Sequence, residues 1–125
     1  MPNVIVVYRR PSERTSNAEK LSLEHRGLKH IPILEGEDKL KQLSLAHNDI
    51  VKIDSNTASL PSLTLLDLSN NKINEISSKL PPSFTQLKVL ILSKNQIDKI
   101  ENLESMPNLD VLDLNDNRIL RIENL

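Results

Sequence analysis

Three histidines, His25, His30 and His47, are the side chains best suited to proton transfer or metal ligation, and all stand in the first two-fifths of the chain. His25 and His47 recur with the internal period described below, so they are expected to be spatial neighbours. Two imidazoles without a third ligand make a poor site, and no metal is expected there. No GxSxG elbow provides a nucleophile, and there are no cysteines to act as thiolates. Gly27 and Gly36 are the only glycines, too few for a phosphate-cradling loop. The acidic side chains are spread along the chain, as a solvated face requires. These residues predict no catalytic set, no cofactor and no enzyme.

The bulk balance removes further classes. The 125 residues suit one domain, and 38% hydrophobic against 26% charged residues suits a soluble globular chain. Lys and Arg number 16 against 17 Asp and Glu, without the basic excess of a nucleic-acid binder. Tyr8 and Phe84 are the only aromatic residues among Phe, Trp and Tyr, so stacking platforms for single strands are missing and no nucleic-acid partner is expected. The longest apolar run, residues 4–8, is far short of a membrane span, which takes about 18 residues, and of a signal-peptide core. No membrane partner is expected, and the cytosol or nucleus is the expected compartment, in keeping with the lack of cysteine.

What the sequence does carry is a repeat. Leu40, Leu43, Leu45, Asn48, Ile50 and Ile53 follow the spacing LxxLxLxxNxIxxI. The spacing returns at Leu63, Leu66, Leu68, Asn71, Ile73 and Ile76, then at Leu87, Leu90, Leu92, Asn95, Ile97 and Ile100. It returns once more at Leu109, Leu112, Leu114, Asn117, Ile119 and Ile122. A degenerate first copy has Leu21, Leu23, Leu28 and Ile31 in the same columns, with Ala18 for the first Leu and Arg26 for the Asn. The periods are 22 (26 to 48), 23 (48 to 71), 24 (71 to 95) and 22 (95 to 117). That range predicts an α/β leucine-rich-repeat solenoid of about five repeats, with a parallel concave sheet and a convex side of 3₁₀ turns and loops.

Each column has a physical task. The two leucines of LxL point to one face of a short strand while the residue between them points outward. The Asn follows the strand, where its amide can satisfy loop backbone groups, and stacked asparagines predict a ladder. No single repeat buries its apolar face, so stability resides in the stack. On the convex side, Ile97, Ile100, Leu103, Met106 and Leu109 are spaced at threes, which suits a 3₁₀ turn. The segment SSKLPPSF, with Pro81 and Pro82, reads instead as a protruding loop. Pro32, Pro61 and Pro107 also break regular structure there.

Residues 1–17 lie outside the repeats, as an N-terminal cap or connector. Residues 4–8 are expected to form a strand covering the first repeat, and residues 9–14 (RRPSER) a solvated connector. Residues 18–125 are the repeats, and Leu125 falls partway through the fifth without a recognisable cap. The expectation is a truncated solenoid, or one whose uncapped fifth repeat self-associates.

The 22-residue form seen in IDKIENLESMPNL resembles the class typified by the nuclear regulatory subunit of protein phosphatase type one, which includes many ciliary and centrosomal scaffolds. More narrowly, EKLSLEHRGLKHIPILEGEDKLKQL (residues 19–43) and NLDVLDLNDNRILRIENL (residues 108–125) look like the leucine-rich-repeat subunit of the tubulin polyglutamylase complex. Pro32 with Gly36, Glu37 and Asp38 is the less generic part of that likeness, and the 24-residue third period departs from it. The resemblance implies a non-catalytic protein–protein scaffold in a microtubule-linked complex at a cilium or centrosome, its ligase being a separate subunit. A regulatory subunit of protein phosphatase type one is the alternative. An RNA-associated leucine-rich-repeat protein is a third, disfavoured by the charge balance and missing aromatics.

The outward columns of the concave sheet locate the expected partner site. One column reads Lys20, Gln42, Leu65, Val89, Val111; the next Ser22, Ser44, Asp67, Ile91, Asp113. Beyond them run Glu24, Ala46, Ser69, Ser93, Asn115 and then His25, His47, Asn70, Lys94, Asp116. The first two repeats are polar, whereas later ones present Leu65, Val89, Ile91 and Val111 beside Asp67, Asp113, Asn115 and Asp116. An apolar patch rimmed by charge marks a protein-binding face, with both side chains of Val89 and Ile91 exposed at its centre.

Overall fold

The LxL alternation folds as five short strands, β2 (Lys20–Ser22), β4 (Gln42–Ser44), β6 (Leu65–Asp67), β8 (Val89–Ile91) and β10 (Val111–Asp113). They form one parallel sheet in the order β10-β8-β6-β4-β2. In this computed structural model, residues 6–53, 60–77, 80 and 82–122 are described. The register matches the sequence columns residue for residue: Gln42 pairs with Leu65, Leu65 with Val89 and Val89 with Val111. The ladder continues past each strand, where the N–H groups of Leu23, Leu45, Leu68 and Leu92 each donate to the next repeat at 2.8 Å.

The core is the stack of inward columns. Leu43, Leu66 and Leu90 are almost fully buried, as are Leu45, Leu68 and Leu92, and Ile50, Ile73 and Ile97 close over them. At the last described repeat Leu112, Leu114 and Ile119 are only half-buried against the same cluster.

The asparagine ladder is present in full hydrogen-bonded form. Asn71 donates to the carbonyls of Leu45, Leu68 and Ser69 at 3.0–3.1 Å, and its Oδ1 accepts the Ile50 N–H at 3.0 Å. Asn95 does the same with Leu68, Leu92, Ser93 and the Ile73 N–H. In place of an asparagine in the first copy, the backbone N–H groups of Arg26 and Leu28 both donate to Asn48 Oδ1. A second cross-repeat series at the strand entries was not legible in the repeat: Ser62 Oγ donates to the Asp38 carbonyl, Gln86 Nε2 to Leu60 and Asn108 Nδ2 to Thr85.

The convex side is more regular than the loops and 3₁₀ turns expected. β5 (Lys52–Ile53) pairs with β7 (Glu75–Ile76), and β9 (Lys99–Ile100) with β11 (Arg121–Ile122), all parallel. The same five-residue step from the ladder asparagine to the second Ile in each repeat brings these Ile positions to the same height, so their backbones pair. β7 and β9 belong to separate sheets, and the 24-residue period lies between them. There Asn102, in the left-handed region at φ 59°, donates to the Ile76 carbonyl at 2.7 Å. The expected 3₁₀ turn follows at Leu103–Ser105.

Two expectations are corrected. The diproline segment does not simply protrude: Pro82–Gln86 is a 3₁₀ turn, and its Phe84 is driven into the core with 3% exposure. Proline fixes the φ of a first turn and needs no N–H there, so it starts the turn rather than excluding it. Residues 78, 79 and 81 of that segment lie outside the described residues. The RRPSER segment is solvated at residues 10–13 as expected, but it is more than a connector. Residues Pro11–Ser16 form helix α1, with proline at its start and Glu13 accepting the Arg10 backbone N–H at 3.0 Å. Arg9 is buried and meets buried Glu37 in a two-point ion pair, Nε to Oε2 at 2.8 Å and Nη2 to Oε1. Arg9 also donates to the Asn17 carbonyl, so a charge-assisted network ties this segment to the repeats. β1 (Val6–Tyr8) pairs with β3 (Ile33–Glu35), covering the convex flank of the first repeat rather than its concave strand. Residues 4 and 5 of the expected strand are outside the described residues.

Candidate functional site

The concave face is set by the sheet register. Leu65, Val89 and Val111 form one in-register row, and Asp67, Ile91 and Asp113 the next, so Ile91 stands between two carboxylates. Strands about 4.8 Å apart make these side chains contiguous. The expectation that Val89 and Ile91 are exposed is corrected: both are half-buried, as are Leu65, Asp67 and Asp113. Leu65, Asp67, Val89 and Ile91 are each shielded by in-register neighbours on both sides, whereas Asp113, on the edge strand, has Ile91 on one side and bonds the Asn115 N–H. Val111, on the edge strand with a neighbour on one side, is 50% exposed.

The polar members of the site also hold the turns. Asp67 Oδ1 accepts the Ser69 N–H at 2.9 Å, and Asp113 Oδ1 accepts the Asn115 N–H at 3.0 Å. Ile91 interrupts this column with a side chain that cannot accept such a bond, which gives its apolar character no role in the turn. Asn115 and Asp116 are exposed and lie past the end of β10.

The column of Asp116 has a structural meaning that spacing alone missed. His25, His47, Asn70, Lys94 and Asp116 all take the left-handed backbone conformation, with φ between 55° and 58°. Asn, Asp and His tolerate that region better than most side chains, and four of the five residues are of these types. The signal was available as the position immediately before each ladder asparagine.

At the polar end of the sheet the two histidines do meet. Their rings stack with centroids 4.6 Å apart. The expectation that they lack a third ligand is corrected, because Glu24 stands beside them with its carboxylate among the same group of ligand atoms. Glu24 lies back along the sheet face, where the hydroxyls of Ser22 and Ser44 hold its Oε2. Among the described residues no helix is long and apolar enough to cross a membrane.

A stack of parallel strands tied by an asparagine ladder, with a continuous outward sheet face, defines a parallel-strand repeat solenoid. The leucine rich repeat family model matches residues 38–97 and 61–119, and the chain belongs to that family. It is 43% identical over 72 residues to human leucine-rich repeat-containing protein 49, covering 58% of this chain and 10% of that protein. Pig fibromodulin is 36% identical over 81 residues, 63% of this chain and 55% of that one. A Caenorhabditis elegans protein phosphatase 1 regulatory subunit SDS22 homolog is 38% identical over 61 residues, 49% of this chain and 19% of that one. The chain thus spans between a tenth and about half of the length of these relatives. A chain in the crystal structure of the Drosophila melanogaster SNF/U2A' complex superposes with a TM-score of 0.67 at 26% identity, covering 90% of this chain and 71% of that one.

Proposed function

We propose that the chain is a non-catalytic scaffold whose concave face grips a protein partner through Leu65, Val89, Ile91 and Val111. Asp67, Asp113, Asn115 and Asp116 rim that patch and set its orientation. The observation that carries this reading is Ile91. It replaces a turn-capping acceptor with an apolar side chain, in register between Asp67 and Asp113 and beside the Val89 row. Apolar area flanked by carboxylates fits a partner segment with an apolar ridge and basic flanks.

The complex proposed is a microtubule-linked one at a cilium or centrosome, in the cytoplasm, supported by the likeness of residues 19–43 and 108–125 to the polyglutamylase scaffold subunit. The second reading, a phosphatase type one regulatory subunit, is favoured by the SDS22 homolog among the relatives. The third, an RNA-associated protein, is favoured by the fold likeness to a chain of the SNF/U2A' complex and would place the chain in the nucleus.

Affinity purification with mass spectrometry separates them, run on wild type beside Val89→Glu and Ile91→Lys. Recovery of a glutamate-ligase subunit with tubulin supports the first reading, a phosphatase catalytic subunit the second and a ribonucleoprotein the third. In each case both variants are expected to lose the partner with unchanged circular dichroism. Val89→Glu puts a carboxylate into the apolar patch, and Ile91→Lys replaces its centre with a cation that neutralises Asp67 and Asp113 and repels the partner's basic flanks. Retention by folded variants would move the site off this face.

Self-association is the other proposed contact. β10 is an edge strand with half-buried Leu112, Leu114 and Ile119 behind it. Light scattering across a concentration series tests it, and a monomer at every concentration would reject it.

A further inference from the structure

The turns that leave β2 and β4, at the polar end of the sheet, place three potential metal ligands together. His25 and His47 share one left-handed conformation, φ 57° and 58°, one strand step apart. The His25 N–H donates to the His47 carbonyl at 3.2 Å, and the His47 N–H to Ser69 at 3.1 Å, so both backbones are fixed by the stack. Equal backbone geometry at adjacent positions projects the imidazoles side by side, which is why the rings lie 4.6 Å apart and within 13° of parallel. The ligand atoms of Glu24, His25 and His47 all lie within 4.8 Å of one another. The Glu24 carboxylate is itself oriented, accepting from Ser22 Oγ at 3.1 Å and Ser44 Oγ at 3.2 Å.

We propose that Glu24, His25 and His47 form a three-ligand site for a zinc-class divalent transition metal ion. Two imidazoles and one carboxylate are a donor set suited to that class, whereas calcium and magnesium take all-oxygen shells. Metal–ligand bonds of about 2.0–2.2 Å put tetrahedral ligands roughly 3.3 Å apart. Both histidines are exposed, so side-chain torsions alone close the remaining distance while the backbone stays in the ladder. The serine hydroxyls act as outer-shell donors that hold the carboxylate. Three protein ligands leave a fourth position, filled by water, on the solvent side of the sheet.

The test is a zinc titration of the intact chain against a chromophoric chelator, with cobalt substitution read by its visible absorption. The variants are His25→Asn and His47→Asn, because Asn70 already occupies this left-handed column at φ 55° and the fold is therefore retained. Glu24→Gln removes the charged ligand, and His30→Asn serves as the control outside the site. One equivalent of zinc is expected to bind wild type and His30→Asn alike. Each of the two histidine variants is expected to lose at least tenfold in affinity, together with the tetrahedral cobalt spectrum, while circular dichroism is unchanged. No binding to wild type, or binding that survives both histidine substitutions, would overturn the proposal.

Discussion

Replacing Asn71 by alanine isolates what the asparagine ladder contributes. The carbonyls that Asn71 bonds are shared: Leu45 also accepts from Asn48, Leu68 from Asn95, and Ser69 from the His47 N–H. They therefore keep a partner when the amide is removed. The Ile50 N–H differs, because Asn71 Oδ1 is its acceptor and Ile50 is fully buried. One orphaned buried N–H, together with the weakened carbonyls, is expected to cost about 2 kcal/mol, within a range of roughly 1–3. Asn117 Oδ1 accepts the N–H of Ile97, which is also fully buried, but Asn117 itself is half-buried. Water can enter its place and reach that N–H, so Asn117→Ala is expected to cost less, about 1 kcal/mol. Urea unfolding followed by circular dichroism measures both, with the slope checked for a change in cooperativity. Asn71→Ala at wild-type stability, or a cost for Asn117→Ala equal to that of Asn71→Ala, would refute the assignment of the cost to the buried N–H.

Further outcomes follow from the same packing. Leu90→Ala is expected to cost about 2–5 kcal/mol by opening a cavity in the fully buried stack, read in the same titration. Arg9→Met leaves the buried Glu37 carboxylate only its longer 3.7 Å ion pair with Arg14 and is expected to cost about 3 kcal/mol, part of it recovered in Arg9→Met with Glu37→Leu; a neutral single variant would contradict the buried pair. Gly36→Ala is expected to cost about 1–3 kcal/mol in thermal or urea unfolding, because φ is +73° and an added Cβ would stand 2.5 Å from the Arg14 guanidinium packed over Tyr8. Hydrogen bonds from the Arg10 side chain and backbone hold the Glu13 carboxyl below its ordinary value of 4.5. The contribution of that carboxylate to α1 is therefore present above pH 4.5 and lost as pH falls through the lowered value, so amide protection in α1, relative to the intrinsic exchange rate at each pH, is expected to fall in acid before that of the sheet.

The strands, their register and the asparagine ladder were legible because a period fixes which residues stack, and Leu66, Leu90 and Asn71 do what their columns require. Features unique to one repeat were not legible. Phe84 enters the core from a diproline segment that reads locally as a loop breaker. Arg9 and Glu37 are far apart in sequence, and charged residues read as solvated until tertiary packing pairs them. Gly36 and Glu37 did stand out as undemanded by the repeat, and the structure gives both a task in tying the N-terminal segment down. At the candidate site the columns correctly made Leu65, Val89, Ile91 and Val111 neighbours. They missed the mutual shielding of flanked side chains, the turn-holding bonds of Asp67 and Asp113, and the approach of Glu24 to the histidine pair, all of which depend on side-chain direction rather than spacing.

A photo-reactive residue placed at position 89 or, on separate molecules, at exposed Gln96 beyond the strand tests the central claim most directly. On irradiation in cells, position 89 is expected to give a discrete cross-linked partner and position 96 none, with the position-89 product abolished by Ile91→Lys. Cross-linking from position 96 alone, or a position-89 product indifferent to Ile91→Lys, would contradict a partner seated on the concave sheet.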